Sequence, residues 1–352
     1  MDITPYLKLM VEKNASDIFL TVNSPVKIKI EGQATPVGKT VLTSELCKAA
    51  AYGIMNDYQV RQFEENMEVD FAIALPDGSA RFRVNIFHQR GDIGMVLRLI
   101  PSKIPTVEEL GLPDILNEVI MAKRGIILMV GATGSGKSTS LAAMINHRNS
   151  NMAGHILTIE DPVEFSHPHL KSIINQREVG VDTLSYRNAL KSSLREAPDV
   201  ILIGEIRDRE TMEAAMELSN TGHLAISTLH ANNANQAMER VINMFTQAEH
   251  KQLLMDLSLN IRAVISQRLV TGIDGKRCAA IEILVNTPHI SELILKGDLD
   301  EIKVAMAESG QKGMQTFDLA LFNLYKEGRI ELEEALNNAD SRTNLEAKIN
   351  FG

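Results

Sequence analysis

The segment Gly131-Ala132-Thr133-Gly134-Ser135-Gly136-Lys137-Ser138 has the residue types and spacing of a Walker A loop. Its glycines let the backbone approach a polyphosphate, so that loop N–H groups point inward, and a helix N-terminus beyond it favours negative charge. Lys137 is spaced to reach the β- and γ-phosphates, and the Ser138 hydroxyl to sit on Mg²⁺. The flanks match this reading. The apolar run Ile126 to Val130 predicts a strand before the loop, and Lys137 to Ile145 predicts a helix after it. Gly131, Thr133, Gly134, Ser135, Gly136, Lys137, Ser138 and Thr139 are the candidate nucleotide-binding residues, with ATP and Mg²⁺ as their ligands.

Hydrolysis needs more than a cradle: a metal, a group that orients water, and positive charge on the transferring phosphoryl group. The run Val200-Ile201-Leu202-Ile203 ends in Gly204-Glu205, where a Walker B acid is expected. Most P-loop proteins place an Asp before that Glu, and here the position is Gly204, so this strand offers one carboxylate. Other acids must then share the work. Ile159 leads into Glu160-Asp161-Pro162-Val163-Glu164, three carboxylates at the C-terminal end of another predicted strand, the side on which α/β sheets bind ligands. Taken alone this reads first as an acidic surface loop; beside a Walker A and a depleted Walker B the catalytic reading is favoured. A third element, Thr221-Gly222-His223 to Thr228-Leu229-His230, brackets a strand with two histidines roughly 20 Å apart if extended, too far to share a metal. His230 falls at the edge of the sheet near the γ-phosphate, while His223 reads as structural. For positive charge, strand period places Arg81, Arg83 and Asn85 on one face, opposite Phe82, Val84 and Ile86, and Arg98 sits in a later strand. These arginines are either a solvated strand face or fingers for a neighbouring subunit's nucleotide. Arg207 and Arg209 are weaker candidates, equally explained by ion pairs with Asp208 and Glu210.

The elements that must position these groups fall into two parts. The first hundred residues read as a mixed α+β module: a helix within Asp2 to Asn14, strands at Ile18–Val22 and Val26–Ile30, and a helix capped by Thr43 or Ser44. Strands at Val69–Leu75 and Arg81–His88 are separated by the turn Pro76-Asp77-Gly78, and a last strand spans Gly94–Ile100. A linker over 101–113 is rich in Pro and Gly. From 114 the rhythm becomes βαβ, with continuous apolar runs suited to a parallel sheet covered on both faces. After about Thr287 the chain turns helical and polar. The 352 residues carry 44% hydrophobic and 23% charged residues, an ordinary globular composition. The net charge of −9, with no dense Lys/Arg block, argues against nucleic acid as a partner. No run reaches the length of a membrane-spanning helix, and the N-terminus lacks a signal-peptide core, so membrane association is expected only through a partner. The 2 cysteines, Cys47 and Cys278, read as reduced thiols and cannot form a four-cysteine zinc module.

Together these motifs resemble the secretion and pilus ATPases of the type II/type IV system. The resemblance rests on 131–138, Ile-Glu-Asp-Pro-Val-Glu at 159–164, Gly-Glu-Ile-Arg-Asp at 204–208 and Thr-Gly-His to Thr-Leu-His at 221–230. It extends to Arg-Phe-Arg-Val-Asn at 81–85 and Ile-Pro-Ser-Lys at 100–103, so that it covers nearly the whole chain. It is nearest the retraction branch, PilT and PilU, and the segments 229–237, 255–260 and 313–318 lean toward PilU. The resemblance implies a PAS-like N-terminal domain (1–100) and a RecA-like P-loop ATPase domain (114–352) with a helical C-terminal part. It implies a homo-hexamer hydrolysing ATP between subunits, cytoplasmic and peripheral at the inner membrane, acting on the pilus platform protein there. Carried over by position, Lys137 and Ser138 hold phosphate and Mg²⁺, Glu164 orients water, Glu205 acts at the metal and His230 senses the γ-phosphate; Glu160 stays a catalytic candidate from the acidic segment itself. Arg81, Arg83 and Arg98 match strand arginines among which trans-acting residues are expected.

One departure bears on the role. PilT proteins carry two arginines in a signature after a Thr-Pro, and here Thr287-Pro288 is followed by His289-Ile290-Ser291-Glu292-Leu293-Ile294-Leu295-Lys296, without them. That favours an accessory role beside a PilT-type ATPase partner. The alternatives are an assembly or secretion ATPase, a nucleotide-gated docking ring with weak hydrolysis, and a small-molecule P-loop kinase.

Overall fold

The computed structural model describes residues 1–30, 32–309 and 313–351. It divides into two compact units. The first comprises Met1–Lys103 with Val163–Ser166 and Gly180–Asp182, and the second comprises Ile104–Pro162, His167–Val179 and Thr183–Gly352. The acidic segment 160–164 is thus divided: Glu160 and Asp161 belong to the second unit and Glu164 to the first. The helical C-terminal part expected from about Thr287 runs across 310–312 and ends at 352, positions outside the described residues.

In the first unit the elements are α1 (Thr4–Glu12), β1 (Asp17–Leu20), β2 (Pro25–Ile30), β3 (Gln33–Val41), α2 (Ser44–Tyr52), α3 (Asp57–Asn66), β4 (Glu68–Ala74), β5 (Arg81–Gln89) and β6 (Asp92–Ile100). Among the described residues the strands form one antiparallel sheet in the order β3-β2-β1-β6-β5-β4. One face is apolar. Ile18, Leu20, Phe82, Val84, Ile86, Met95 and Leu97 pack there against Leu7 and Met10 of α1, Cys47 and Ala50 of α2 and Phe63 of α3. The α+β module expected from sequence is therefore present, with two additions. Helix α3 starts at a capping box in which Asn56 and Gln59 satisfy each other's backbone N–H groups. Strand β3 lies open to solvent along nearly all its length, so no alternation marks it in the sequence.

The second unit holds α4 (Ile115–Ile120), β7 (Gly125–Val130), α5 (Lys137–Asn151), β8 (Gly154–Glu160), β9 (Ser172–Glu178), α6 (Tyr186–Ser193), β10 (Val200–Glu205), α7 (Arg209–Asn220), β11 (Leu224–Leu229) and α8 (Ala234–Ile242). It continues with α9 (His250–Asn260), β12 (Ile261–Thr271), β13 (Arg277–Val285), α10 (Pro288–Lys296), α11 (Leu299–Glu308), α12 (Phe317–Lys326), α13 (Leu332–Asn338) and α14 (Arg342–Phe351). Its sheet, among the described residues, runs β13-β12-β7-β11-β10-β8-β9, parallel except for β13. Alternate residues of β7 feed two cores: Ile126, Leu128 and Val130 join one with α6 to α11, and Ile127 and Met129 join the other with α4 and α5. Burial on both faces is why these strands read as unbroken apolar runs. A further core, of Phe317, Leu321, Leu324, Leu336 and Leu345, seats α12–α14 against Val270 and Ala280 of β12 and β13. No helix among the described residues is long and apolar enough to cross a membrane.

Candidate active site

Strand β7 is buried at all six positions and delivers the chain into Gly131 at the C-terminal edge of the parallel strands. Gly131 and Gly136 are glycines for a packing reason. A Cβ on Gly131 would lie 2.5 Å from the Gln267 carbonyl oxygen and 2.6 Å from Ser135 Oγ, and one on Gly136 would lie 2.7 Å from Gln267 Nε2. The loop therefore presses its backbone against β12 and turns into α5 with Gly136 in the left-handed region, φ +87°. Lys137 folds back onto the loop, its Nζ donating to the carbonyls of Gly131 and Ala132, each at 2.8 Å. Burial lowers its pKa, partly offset by the negative charge of Glu205. Ser135 Oγ is buried with no hydrogen-bond partner among the described residues. An orphaned hydroxyl inside a glycine cradle is the polar group a phosphate oxygen would satisfy. Thr133 and Gly134 are exposed on the loop; in the first turn of α5 Ser138 is exposed and Thr139 half-buried.

Opposite the loop, Glu205 at the end of β10 is held from two sides. Its Oε1 lies 3.0 Å from His230 Nε2, and its Oε2 accepts from Arg207 Nε at 2.6 Å. The structure so brings Lys137, Glu205 and His230 to one edge of the sheet. Glu160, ending β8, accepts from Thr158 Oγ1 at 2.6 Å and from Gln176 Nε2 at 3.3 Å. Gly204 sits in a register shift of β10 against β11, and Thr228 Oγ1 donates to its carbonyl at 2.6 Å. A Cβ at position 204 would meet the Tyr186 hydroxyl at 2.6 Å, Ile159 O at 3.2 Å and Glu160 Cα at 3.3 Å. The space of a Walker B aspartate is thus filled by Tyr186. Burial, then the charges of Asp161, Glu160 and Glu205, pushes that phenol's pKa far up, with Arg207 opposing, so it stays protonated.

Among the described residues no group of three or more His, Cys, Asp or Glu could hold a metal alone. A Mg²⁺ here would draw on Ser138, Glu205 and nucleotide phosphates, the usual way this ion is bound beside ATP. A cleft of about 430 Å³ adjoins the loop, between Gly131 and Ala132 on one side and His230, Asn232, Gln236 and Arg240 on the other.

Glu164 lies in the first unit, as do Arg81, Arg83 and Arg98. The three arginines differ. Arg98 donates to the buried Asp17 at 2.8 Å, with Lys29 4.0 Å from the same carboxylate. Arg81 and Arg83 form no ion pair among the described residues, and Arg83 lies directly across from Arg98 on the outer sheet face. Arg207 and Arg209 do not pair as expected. Asp208 instead caps α7 through Thr211 N at 2.9 Å, and Glu210 binds Arg187 at 2.7 Å. Arg207 binds Glu205, and Arg209 binds Glu213 and Glu249. His223 contacts Thr221 and the Leu218 carbonyl through Nδ1, a structural role. Sequence reasoning missed Gln267 and Tyr186. The first is a buried amide that braces the loop by accepting from Ser140 Oγ at 2.7 Å. The only signal for it was a polar stretch, Ser266-Gln267-Arg268, inside an otherwise apolar run.

A family model described as type II/IV secretion system protein matches residues 1–342. The chain belongs to this family. Among its relatives, the type IV pilus ATPase PilU of Pseudomonas aeruginosa is 52% identical over 353 residues, covering 100% of this chain and 92% of that protein. The type IV pilus retraction ATPase PilT of the same organism is 43% identical, covering 96% and 98% respectively. A crystal structure of the pilus retraction motor PilT with bound ADP superposes with a TM-score of 0.91 at 40% identity, covering 98% of this chain and 99% of that one. This secretion-family chain thus shares its fold, over 98% of its length, with a relative whose structure holds ADP.

Proposed function

We propose that this chain is an ATP-hydrolysing motor of the type IV pilus that drives or assists retraction, and hence twitching motility. The observation that carries the ATP reading is the phosphate cradle: glycines packed too closely for any side chain, a buried orphan hydroxyl at Ser135, and Lys137 beside them. Supporting retraction over assembly is the full-length similarity to relatives named as PilU and PilT.

In this reading Gly131 to Thr139 hold the phosphates, with Lys137 exchanging the Gly131 and Ala132 carbonyls for phosphate oxygens. Mg²⁺, held by Ser138 and Glu205, would neutralise charge on the phosphates. Glu164, with Glu160, orients the water that attacks the γ-phosphorus; the P–O bond to ADP breaks as the bond to water forms. His230, on Glu205, senses the presence of the γ-phosphate. Arg83 and Arg81 act on the nucleotide of a neighbouring copy, which requires a ring, taken here as a homo-hexamer. Arg98 ranks behind them because Asp17 already holds it. The proposed setting is the cytoplasmic side of the inner membrane, against the pilus platform protein, with a PilT-type ATPase as partner. The missing arginines in α10 support the accessory role.

Purified protein should release phosphate from ATP in the presence of Mg²⁺, and Lys137→Ala should not. Phosphate release equal in the two would end the enzymatic reading. A deletion strain should lose surface motility while still displaying pili; bald cells would mean assembly instead.

A further inference from the structure

Strand β12 reaches both walls of the phosphate cleft through two consecutive residues. Gln267 faces the Walker A loop and holds it through Ser140. Arg268 takes the opposite face of the strand. Its guanidinium donates to the carbonyl of Asn232 at 3.2 Å, in the loop that carries His230. It also donates to Asn338 O and to Asp340 Oδ1, each at 2.7 Å, and lies 3.9 Å over the ring of Phe317. Asp340 is itself fixed: Lys303 binds its other oxygen at 2.8 Å, and its backbone N–H donates to Asp318 at 2.8 Å. A second hold reaches the same loop from β13, where the buried Glu282 accepts from Ala234 N at 2.7 Å and from Ser266 Oγ at 3.1 Å. The segment from His230 to Ala234 is thus clamped from behind by side chains of the central sheet, and the clamp is anchored in the linker between α13 and α14.

A planar guanidinium is suited to this because its fixed fork can bridge three partners at once, which a lysine ammonium cannot do with the same geometry. The Asp340 side chain is largely buried and Arg268 half-buried, so removing either partner would leave the other charge poorly compensated beside the His230 loop. We propose that Arg268 is a positioning residue for ATP hydrolysis: it sets the His230 loop against Glu205 and ties that setting, through Asp340, to the C-terminal helices. The proposal rests on the ATPase reading above.

The test uses the full-length protein with Arg268→Gln, Asp340→Asn and the double variant, each first checked for folding by circular dichroism. Arg268→Gln should lower kcat by about 10- to 100-fold, the effect of a small misplacement of a reacting group. KM for ATP and the affinity for ADP should hold nearly constant, because Gln267, not Arg268, braces the phosphate loop. Asp340→Asn should lower kcat in the same direction. The double variant should be no worse than Arg268→Gln alone, since both act through one contact. Hydrogen exchange should quicken over 230–234 in Arg268→Gln and stay unchanged in the Walker A peptides. Should Arg268→Gln not fold, Asp340→Asn carries the same expectations. A folded variant with unchanged kcat, a parallel rise in KM, or additive losses would overturn the proposal. If the wild type itself releases no phosphate above Lys137→Ala, the ATPase reading fails; unchanged exchange over 230–234 would then sink the clamp as well, and quickened exchange would leave the clamp standing.

Discussion

Replacing Gly204 by aspartate restores the residue most Walker B strands carry, and the structure says that it will harm the protein. The first atom of any side chain there would sit 2.6 Å from the Tyr186 hydroxyl, 3.2 Å from Ile159 O and 3.3 Å from Glu160 Cα. None of these is the loose end of a flexible chain: the phenol is rigid and packed on the core, and the other two are backbone of β8. Overpacking of this kind costs about 1–3 kcal/mol. Aspartate adds a like charge beside Glu160, Asp161 and Glu205, so Gly204→Ala is the cleaner probe of the steric part. In a unit of this size the steric cost lowers the unfolding temperature by about 2–12 °C. Tyr186→Phe removes the closest atom, so the double variant Gly204→Ala/Tyr186→Phe should recover much of the loss, a coupling of about 1 kcal/mol or more between neighbours. Thermal unfolding followed by circular dichroism measures all four proteins, and phosphate release from Gly204→Asp should fall below wild type. The reasoning is refuted if Gly204→Ala melts with the wild type, or if Tyr186→Phe gives no recovery.

Four further outcomes are expected. Lys137→Ala should lower kcat by at least about 100-fold, as for loss of a charged donor to a transition state, measured by steady-state phosphate release. Rings mixed from Arg83→Ala and Glu164→Ala subunits should recover activity that neither has alone, whereas Arg98→Ala should be the mildest of the three arginine changes; equal losses would remove the distinction drawn from Asp17. His167 is held neutral by burial, its pKa lowered to about 4, so the unfolded chain binds more protons between there and its ordinary 6.5. Stability should therefore be full above 6.5 and fall by at most about 3 kcal/mol as pH drops toward 4, a slope that His167→Phe should flatten in melting curves. Gln267→Ala leaves Ser140 buried without its partner and should cost about 1–3 kcal/mol in chemical denaturation, with weaker ADP binding; unchanged ADP affinity would mean the brace does not shape the loop.

How much of this could be read without coordinates depended on whether the cause was local. The Walker A loop was legible because its chemistry is local: glycines, a lysine and a helix start follow one another in sequence. The face shared by Arg81, Arg83 and Asn85 was legible because strand period alone sets it, and Phe82, Val84 and Ile86 are indeed buried opposite. Strands β9, β12 and β13 were not. In β12 the buried Ser266 and Gln267 interrupt the apolar signal, and both are polar for partners far away in sequence, Glu282 and Ser140. A pattern-based reading discounts such a run, although these are the residues that brace the site.

Gly204 shows the same limit from the other side. Sequence revealed that the aspartate was missing and turned attention to Glu160 and Glu164, but it offered no reason for the glycine. The reason is Tyr186, eighteen positions earlier on α6, whose hydroxyl fills the space. The proposed division of labour among the acids then follows from packing. With that space taken, β10 can present Glu205 alone, and Glu205 is already spanned by His230 and Arg207. In the proposed reading a carboxylate so engaged holds the ion or reports on His230, and the water is left to an acid from elsewhere. A chain that exchanged Tyr186 for a smaller residue would free position 204 for an aspartate and lift that requirement, so Tyr186→Ala/Gly204→Asp should tolerate the loss of Glu160 better than the wild type does. If Glu160→Gln costs the same phosphate release in both backgrounds, packing at 204 is not what moved the catalytic work.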